Sequence, residues 1–142
     1  MAIDAPQHEL IRKTLELRAG QAADARAFAD ATIEIWQEIA LHLTPVIGAQ
    51  GLVVLFNRSL HLTSANFHWL STLGHTQDTA QQLPKLRTLL AEQSVTEAAQ
   101  ASGNWFVMLT ELLASLIGES LTARLLEPVW ARAQARQSRE QR

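Results

Sequence analysis

The spacing of large apolar residues is the feature that most limits how this chain can fold, because it repeats with the period of an α-helix. One stripe consists of Phe28, Thr32, Ile35, Trp36, Ile39 and Leu43. A second consists of Trp105, Leu109, Leu112 and Leu116, with Phe106, Leu113 and Ile117 beside it. Residues three and four apart share one helix face, whereas a half-buried strand alternates every second residue. No segment alternates for long, so the sequence predicts an all-α fold.

Prolines and capping residues divide this pattern into five to six helices. Each proline precedes an apolar periodic segment, and proline is favoured in the first helical turn, where its N–H would have no partner. Thr44 and Pro45 therefore predict an N-cap and a first helical residue, and Ser94 with Glu97 predicts a reciprocal capping box. The predicted helices cover residues 6–18, 22–43, 45–62 (with 70 as the outer limit), 84–92, 95–117 and 119–136.

Two runs are apolar on every side, which predicts that other helices enclose them. They are residues 52–56 and residues 105–109, whereas the remaining predicted helices have one apolar face. A single-domain helical bundle with two buried central helices accommodates both kinds of segment. We expect this domain to cover residues 1–136 and to be followed by a polar, frayed C-terminal tail at residues 137–142.

Cysteine content and charge exclude several classes of protein. The chain of 142 residues has no cysteine, which rules out thiolate metal sites, iron–sulfur clusters and cysteine nucleophiles. Residues 1–120 have 7 Lys or Arg against 12 Asp or Glu, a net charge of −5. Residues 121–142 have 5 against 2, a net charge of +3. The acidic body disfavours binding to duplex nucleic acid, which needs clustered cations.

The sequence predicts a cytoplasmic protein without a membrane span. Charged residues interrupt positions 1–20 throughout, which is unlike the apolar core of a signal peptide. The apolar stretch 105–118 contains Glu111 and is shorter than the roughly 20 residues that cross a bilayer. The lack of cysteine agrees with a reducing compartment.

The histidines predict neither a metal site nor a haem site. His61, His68 and His75 are seven residues apart, which on one helix separates neighbours by about 10.5 Å along the axis. Two ligands on one helix need a spacing of three or four residues, and no histidine pair has it. Every histidine lies at or before residue 75, whereas a haem globin needs a proximal histidine in its second half. We expect no metal and no cofactor.

The candidate binding residues are polar side chains placed beside apolar helical runs. They are Asn57, Arg58, His61, Glu119 and Arg124. A buried charge is costly unless it is paired, so we expect Arg58 to pair with Glu111 or Glu119. Such a pair is common between packed helices, and the same groups are also candidates for contact with a ligand or partner. No nucleophile with a neighbouring base is visible, so the sequence does not predict an enzyme.

Two functions fit these observations. The first is a non-catalytic helical interaction or regulatory module of the signalling type, which pairs with itself as a homodimer or with another protein. Trp130 and Leu126 are its predicted interface residues, because the last helix has more apolar residues than a narrow seam needs. The alternative is a small-ligand sensor with an interhelical pocket near Arg58 and Glu119. A lesser hypothesis gives the cationic tail an acidic partner; that tail consists of Arg132, Arg136, Arg139 and Arg142.

Overall fold

A computed structural model shows a bundle of helices, which confirms the all-α prediction. It describes residues 5–20 and 24–140, and side chains in 8–20 and 24–131. The elements in chain order are α1 (Ala5–Ala19), α2 (Ala25–Ser64), a 3-10 helix (His68–Leu73), α3 (Thr79–Ala91), α4 (Val95–Ile117) and α5 (Glu119–Glu140). These two ranges contain no strand.

One apolar core joins all of these helices, and aromatic rings form its centre. α4 packs against α1, α2 and α5, while α2 also packs against α3 and the 3-10 helix. The ring centroid of Trp36 lies 5.0 Å from that of Phe56 and 5.5 Å from that of Trp105. Trp105 in turn stacks on Phe106 at 5.0 Å. These four residues, the aromatic cluster, therefore hold the parts of α2 around Trp36 and Phe56 against the middle of α4.

α2 folds back on itself at Gly48, which separates an N-terminal arm (residues 25–47) from a C-terminal arm (residues 49–64). Gly48 has φ 78° and ψ 169°, a conformation that is essentially restricted to glycine. In a straight helix Trp36 and Phe56 would be about 30 Å apart, so their contact requires the two arms to lie side by side. The predicted break between two helices is therefore present, but it lies at Gly48 and not before Pro45, which is inside the N-terminal arm.

Two predicted caps differ from the structure. Thr44 does not cap a new helix, because its Oγ1 donates to the carbonyl oxygen of Ala40 at 2.6 Å within the N-terminal arm. Ser94 does cap α4, and its Oγ accepts from the Glu97 N–H at 3.1 Å. The Glu97 carboxylate, however, accepts from Trp69 Nε1 at 3.2 Å. The side chain that was expected to complete the capping box thus connects the 3-10 helix to α4.

Two helices also begin or end away from their predicted bounds. α3 begins at Thr79 and not at residue 84, because Asp78 caps it by accepting from the Ala80 N–H at 3.0 Å. α5 continues to Glu140, so residues 137–140, which the sequence assigns to a polar tail, are helical. The cationic tail lies outside the residues whose side chains are described.

The enclosure of both apolar runs is not confirmed. In the run 52–56 the side chain of Val54 is 63% exposed, although Leu55 and Phe56 are buried. In the run 105–109 three residues are buried and two are half-buried, and α4 has other helices on three sides. α4 is therefore the more enclosed of the two, whereas the C-terminal arm of α2 has an open face.

Candidate functional site

A pocket of about 660 Å³ lies between the C-terminal arm of α2 and the chain around the 3-10 helix. The α2 wall includes Asn57, Arg58 and His61, and His61 shares a helix face with each of the other two because it follows them by four and three residues. The opposite wall includes Leu70 and His75. The structure thus brings three of the five predicted binding residues together in one pocket.

Asn57 holds the opposite wall in place. Its side chain is buried, its Oδ1 accepts from the Thr76 N–H at 3.0 Å, and its Nδ2 donates to the Thr76 carbonyl oxygen at 2.7 Å. Gln82 of α3 supports the same wall by donating to the Leu73 carbonyl oxygen at 2.7 Å. Gly74, with φ 66° and ψ −168°, allows the chain to turn between these two attachments. Side chains from two helices therefore fix the wall.

The same amide also orients His75. Nε2 of His75 lies 3.3 Å from Nδ2 of Asn57. Since Thr76 fixes which side of the Asn57 amide is the NH₂ group, and that group only donates, Nε2 of His75 is the acceptor. The ring proton then belongs on Nδ1.

The pocket has a cationic rim and an apolar floor. Arg58 and His61 are exposed at the rim, whereas Leu60 and Leu70 are buried. The lining contains no Asp or Glu. An anion entering this pocket would therefore meet a guanidinium group and no repelling carboxylate from the lining.

The expected ion pair of Arg58 is not formed. Among the described side chains Arg58 makes no ion pair with Glu111 or Glu119. A buried interhelical pair belongs instead to Arg18 of α1, whose side chain is 5% exposed and whose guanidinium lies 2.5 Å from the Glu38 carboxylate. Sequence reasoning missed Arg18 because arginine is common in the last turn of a helix, where it complements the helix dipole.

The other predicted site residues lie elsewhere. Glu119 and Arg124 are exposed near the start of α5, and neither lines the pocket. Leu126 and Trp130 are 1% and 7% exposed, and the ring of Trp130 lies 6.3 Å from that of Phe106. Both therefore belong to the core of the single chain. Their role at an interface stays a prediction.

Most of the large apolar side chains that remain exposed lie in one half of the bundle. The hydroxyls of Thr32 and Ser102 are 2.8 Å apart and Trp36 contacts Trp105, so α4 runs parallel to the N-terminal arm of α2. Both therefore end near Gly48. Between the aromatic cluster and that end lie Leu41, Val46, Val54, Leu116 and Leu121, with exposed fractions of 76%, 43%, 63%, 67% and 39%. We call these five residues the elbow surface.

The chain around the elbow is also unusually apolar. No Asp, Glu, Lys or Arg lies between Glu38 and Arg58. In the part of the chain that is described, α2 is the one helix whose length and composition would allow it to cross a membrane, and 28% of its most apolar stretch is buried. Core helices of soluble proteins pass the same test, so the absence of a membrane span stays a prediction. A long apolar segment of α2 is therefore largely uncovered.

Neither a metal cluster nor a known relative indicates what the protein does. Within the described ranges no group of three or more His, Asp or Glu residues is placed to hold a metal ion. No protein-family model matches the chain, and no curated protein or solved structure matches it significantly. The pocket and the elbow surface are the features of the described residues on which we base a proposed function.

Proposed function

We propose that this protein is a non-catalytic helical interaction module and that its elbow surface binds a second copy of the chain. The observation that carries the proposal is that the exposed leucine and valine side chains of the elbow surface lie in the half of the bundle that contains Gly48; Leu41 is 76% and Leu116 is 67% exposed. Soluble monomers rarely expose large apolar patches, and those that they do expose are commonly interaction sites. The chemistry of this surface suits contact with another apolar surface.

Charge favours a second copy as the occupant. The chain from residue 39 to residue 57 has no formal charge, so a twofold arrangement brings no like charges of this segment together. An isologous dimer of this kind needs only that the surface be complementary to itself. A dimer formed through the elbow surface would agree with the predicted self-association, but its interface would consist of residues other than the predicted Trp130 and Leu126.

A lipid surface is the less favourable occupant. The helical geometry breaks at Gly48, and the first N–H groups of a helix generally have no partners within that helix. Immersion of the elbow in hydrocarbon would leave these groups unpaired at a cost of several kcal/mol each. Glu119 begins α5 at the same end of the bundle, and its carboxylate would repel an anionic headgroup.

The test is sedimentation equilibrium of the full chain at micromolar concentration. We expect the wild-type protein to dimerise and the double variant Leu41→Gln/Leu116→Gln to raise the dimer dissociation constant at least about tenfold, or about 1.4 kcal/mol. Leu62→Gln is the matched control, because Leu62 is 38% exposed but lies on the other side of the aromatic cluster. Circular dichroism verifies that all three proteins keep their helices.

Each alternative has its own outcome. A wild-type protein that stays monomeric at these concentrations removes the dimer from the proposal. A dimer that ignores both elbow substitutions but dissociates in Trp130→Ala returns the interface to the last helix. Co-sedimentation of the wild-type protein with neutral phosphatidylcholine vesicles, lost in the double variant, identifies a lipid surface as the occupant.

The alternative function, a small-ligand sensor, also has a specific observation in its favour. The pocket of about 660 Å³ reaches Arg58, as the sequence predicts for a sensor. It is open to solvent at its rim, and its lining includes Arg58 but not Glu119. Val54 belongs to both the pocket lining and the elbow surface, so the two proposals share this residue.

A further inference from the structure

We infer that the pocket between Arg58 and His75 binds a small amphipathic carboxylate, that is, an organic anion with an aliphatic or aromatic body. The inference does not depend on dimerisation through the elbow surface. Its volume of about 660 Å³ lies within the range of roughly 300–1,000 Å³ that is typical of small-molecule sites. The pocket is thus large enough for a ligand of about ten or more non-hydrogen atoms.

The rim supplies the contacts for the negative end of the ligand. Arg58 and His61 lie three residues apart on one face of α2, and both are exposed. A guanidinium group presents parallel N–H donors that match the two oxygens of a carboxylate. Arg58 makes no ion pair with any described acidic side chain, so a carboxylate ligand would not have to displace one.

The floor supplies the contacts for the apolar body. Leu60 and Leu70 are 8% and 4% exposed, and Val54 and Leu73 extend the apolar lining. A fully hydrated anion such as inorganic phosphate would leave this floor uncovered. Burial of apolar ligand surface against it contributes about 25 cal/mol per Å², which favours a ligand with a hydrocarbon part.

Hydrogen bonds within the chain hold the wall of the pocket in place. The wall that carries His75 is attached through the two hydrogen bonds between Asn57 and Thr76, at 3.0 and 2.7 Å, and through that of Gln82 to Leu73. A site whose backbone is fixed in advance loses less conformational entropy when it binds. Asn57 is therefore a positioning residue, and Arg58 is the group that meets the ligand.

Octanoate is the probe, and isothermal titration calorimetry of the full chain measures its binding. We expect saturable binding with a Kd of about 1 mM or tighter, and at least tenfold weaker binding of octylamine and 1-octanol. These two ligands share the hydrocarbon chain, so the difference isolates the carboxylate. Backbone amide shifts in NMR spectra should concentrate in residues 54–64 and 70–76.

Substitutions at the rim locate the site. Arg58→Ala should weaken octanoate binding at least tenfold, and His61→Glu should abolish it by adding a negative charge; both positions are exposed, so folding is retained. Arg26→Ala is the matched control, because Arg26 is an exposed arginine in the first turn of α2, outside the pocket lining. It should leave the Kd unchanged.

Three outcomes would overturn the inference: no octanoate binding in the millimolar range, equal binding of octylamine, or octanoate binding that is unchanged in Arg58→Ala. Binding that survives Arg58→Ala but disappears in Leu41→Gln/Leu116→Gln would assign octanoate to the elbow surface. If the double variant still binds octanoate, whether it is monomeric or dimeric, the pocket binds the ligand independently of dimerisation. Failure of the dimer proposal would then leave this inference intact.

Discussion

The aromatic cluster and the elbow surface both consist of apolar residues on α2 and α4, yet one is covered and the other is not. At the cluster, residues of α2 and α4 face each other, and Trp36 and Phe106 are at most 1% exposed. At the elbow, Leu41 and Leu116 occupy the outer faces of the same two helices and are 76% and 67% exposed. Apolar content therefore does not decide burial. The deciding factor is whether another element lies opposite the face.

Polar side chains separate the two regions further. Beside the cluster, Trp105 Nε1 donates to Ser59 Oγ at 2.8 Å, and the hydroxyls of Thr32 and Ser102 bond at the same distance. Buried polar groups need such partners, so these bonds permit only one register of α2 against α4. The elbow surface contains only leucine and valine, whose side chains have no hydrogen-bonding group that could fix a register.

The largest effect should come from removing the ring that contacts most of the cluster. Trp105→Ala should lower the free energy of unfolding by about 3–5 kcal/mol, because it leaves a cavity among Trp36, Phe56 and Phe106. Urea denaturation followed by circular dichroism measures the loss. A decrease below about 1 kcal/mol would show that the cluster is not the centre of the core.

The elbow should be sensitive to backbone strain and not to packing. Gly48→Ala should destabilise the fold by about 1–3 kcal/mol, because alanine is strained at φ 78° and ψ 169°. No atom lies within 4 Å of the added Cβ, so a steric clash makes no contribution. Gly103→Ala, inside α4, is the control, and we expect it to raise the free energy of unfolding by about 0.5–1 kcal/mol because alanine favours the helix. The added Cβ lies 4.0 Å from the Leu15 side chain, which is an ordinary contact. Equal effects at the two glycines would contradict the elbow geometry.

The buried hydrogen bond beside the aromatic cluster can be tested by removing one oxygen atom, the hydroxyl of Ser59. Ser59→Ala removes the acceptor of Trp105 Nε1, and leaving that donor unpaired should cost about 1–3 kcal/mol. The indole N–H resonance of Trp105 should shift at the same time. Ser71→Ala, at an exposed position of the 3-10 helix, should change stability by less than about 0.5 kcal/mol.

The smallest effect on stability is expected at the elbow surface. Leu116→Ala should change the unfolding free energy by less than about 0.5 kcal/mol when measured at a concentration where the chain is monomeric. Leu109→Ala, on the same helix but with no exposed area, should cost about 2–5 kcal/mol. If Leu116→Ala proves as costly as Leu109→Ala, residue 116 is covered within the chain and the contrast between the two regions fails.

The fold class was predictable from the sequence because helical periodicity is a local property. The stripe from Phe28 to Leu43 corresponds to the buried face of α2, and Trp105 and Leu109 lie on the buried face of α4. Leu116, at the end of the same predicted line, is 67% exposed. The position of the elbow was not predictable. Gly48 and Gly51 lie in the same segment, yet only Gly48 has a positive φ. That choice depends on how the two arms pack, which no local pattern specifies.

The pocket was predictable on one side only. Asn57, Arg58 and His61 stand out because they follow an apolar run on one helix. The opposite wall comes from residues near His75, which reach the helix only after the chain has passed through the 3-10 helix and turned at Gly74. A spacing argument on a single helix cannot detect a partner that a turn supplies.

The elbow also bears on the order in which the chain folds. Because the chain reverses direction at Gly48, Trp36 and Phe56 meet although few residues separate them in the sequence. The entropy lost in closing a loop grows with the length of the loop, so this contact costs little entropy to form. Domains rich in such local contacts fold quickly. The two arms of α2 thus form a helical hairpin that can assemble before α4 and α5 arrive, and then present its aromatic face to Trp105. Kinetic φ-values measured for Phe56→Leu and Val129→Ala should accordingly be higher at Phe56 than at Val129.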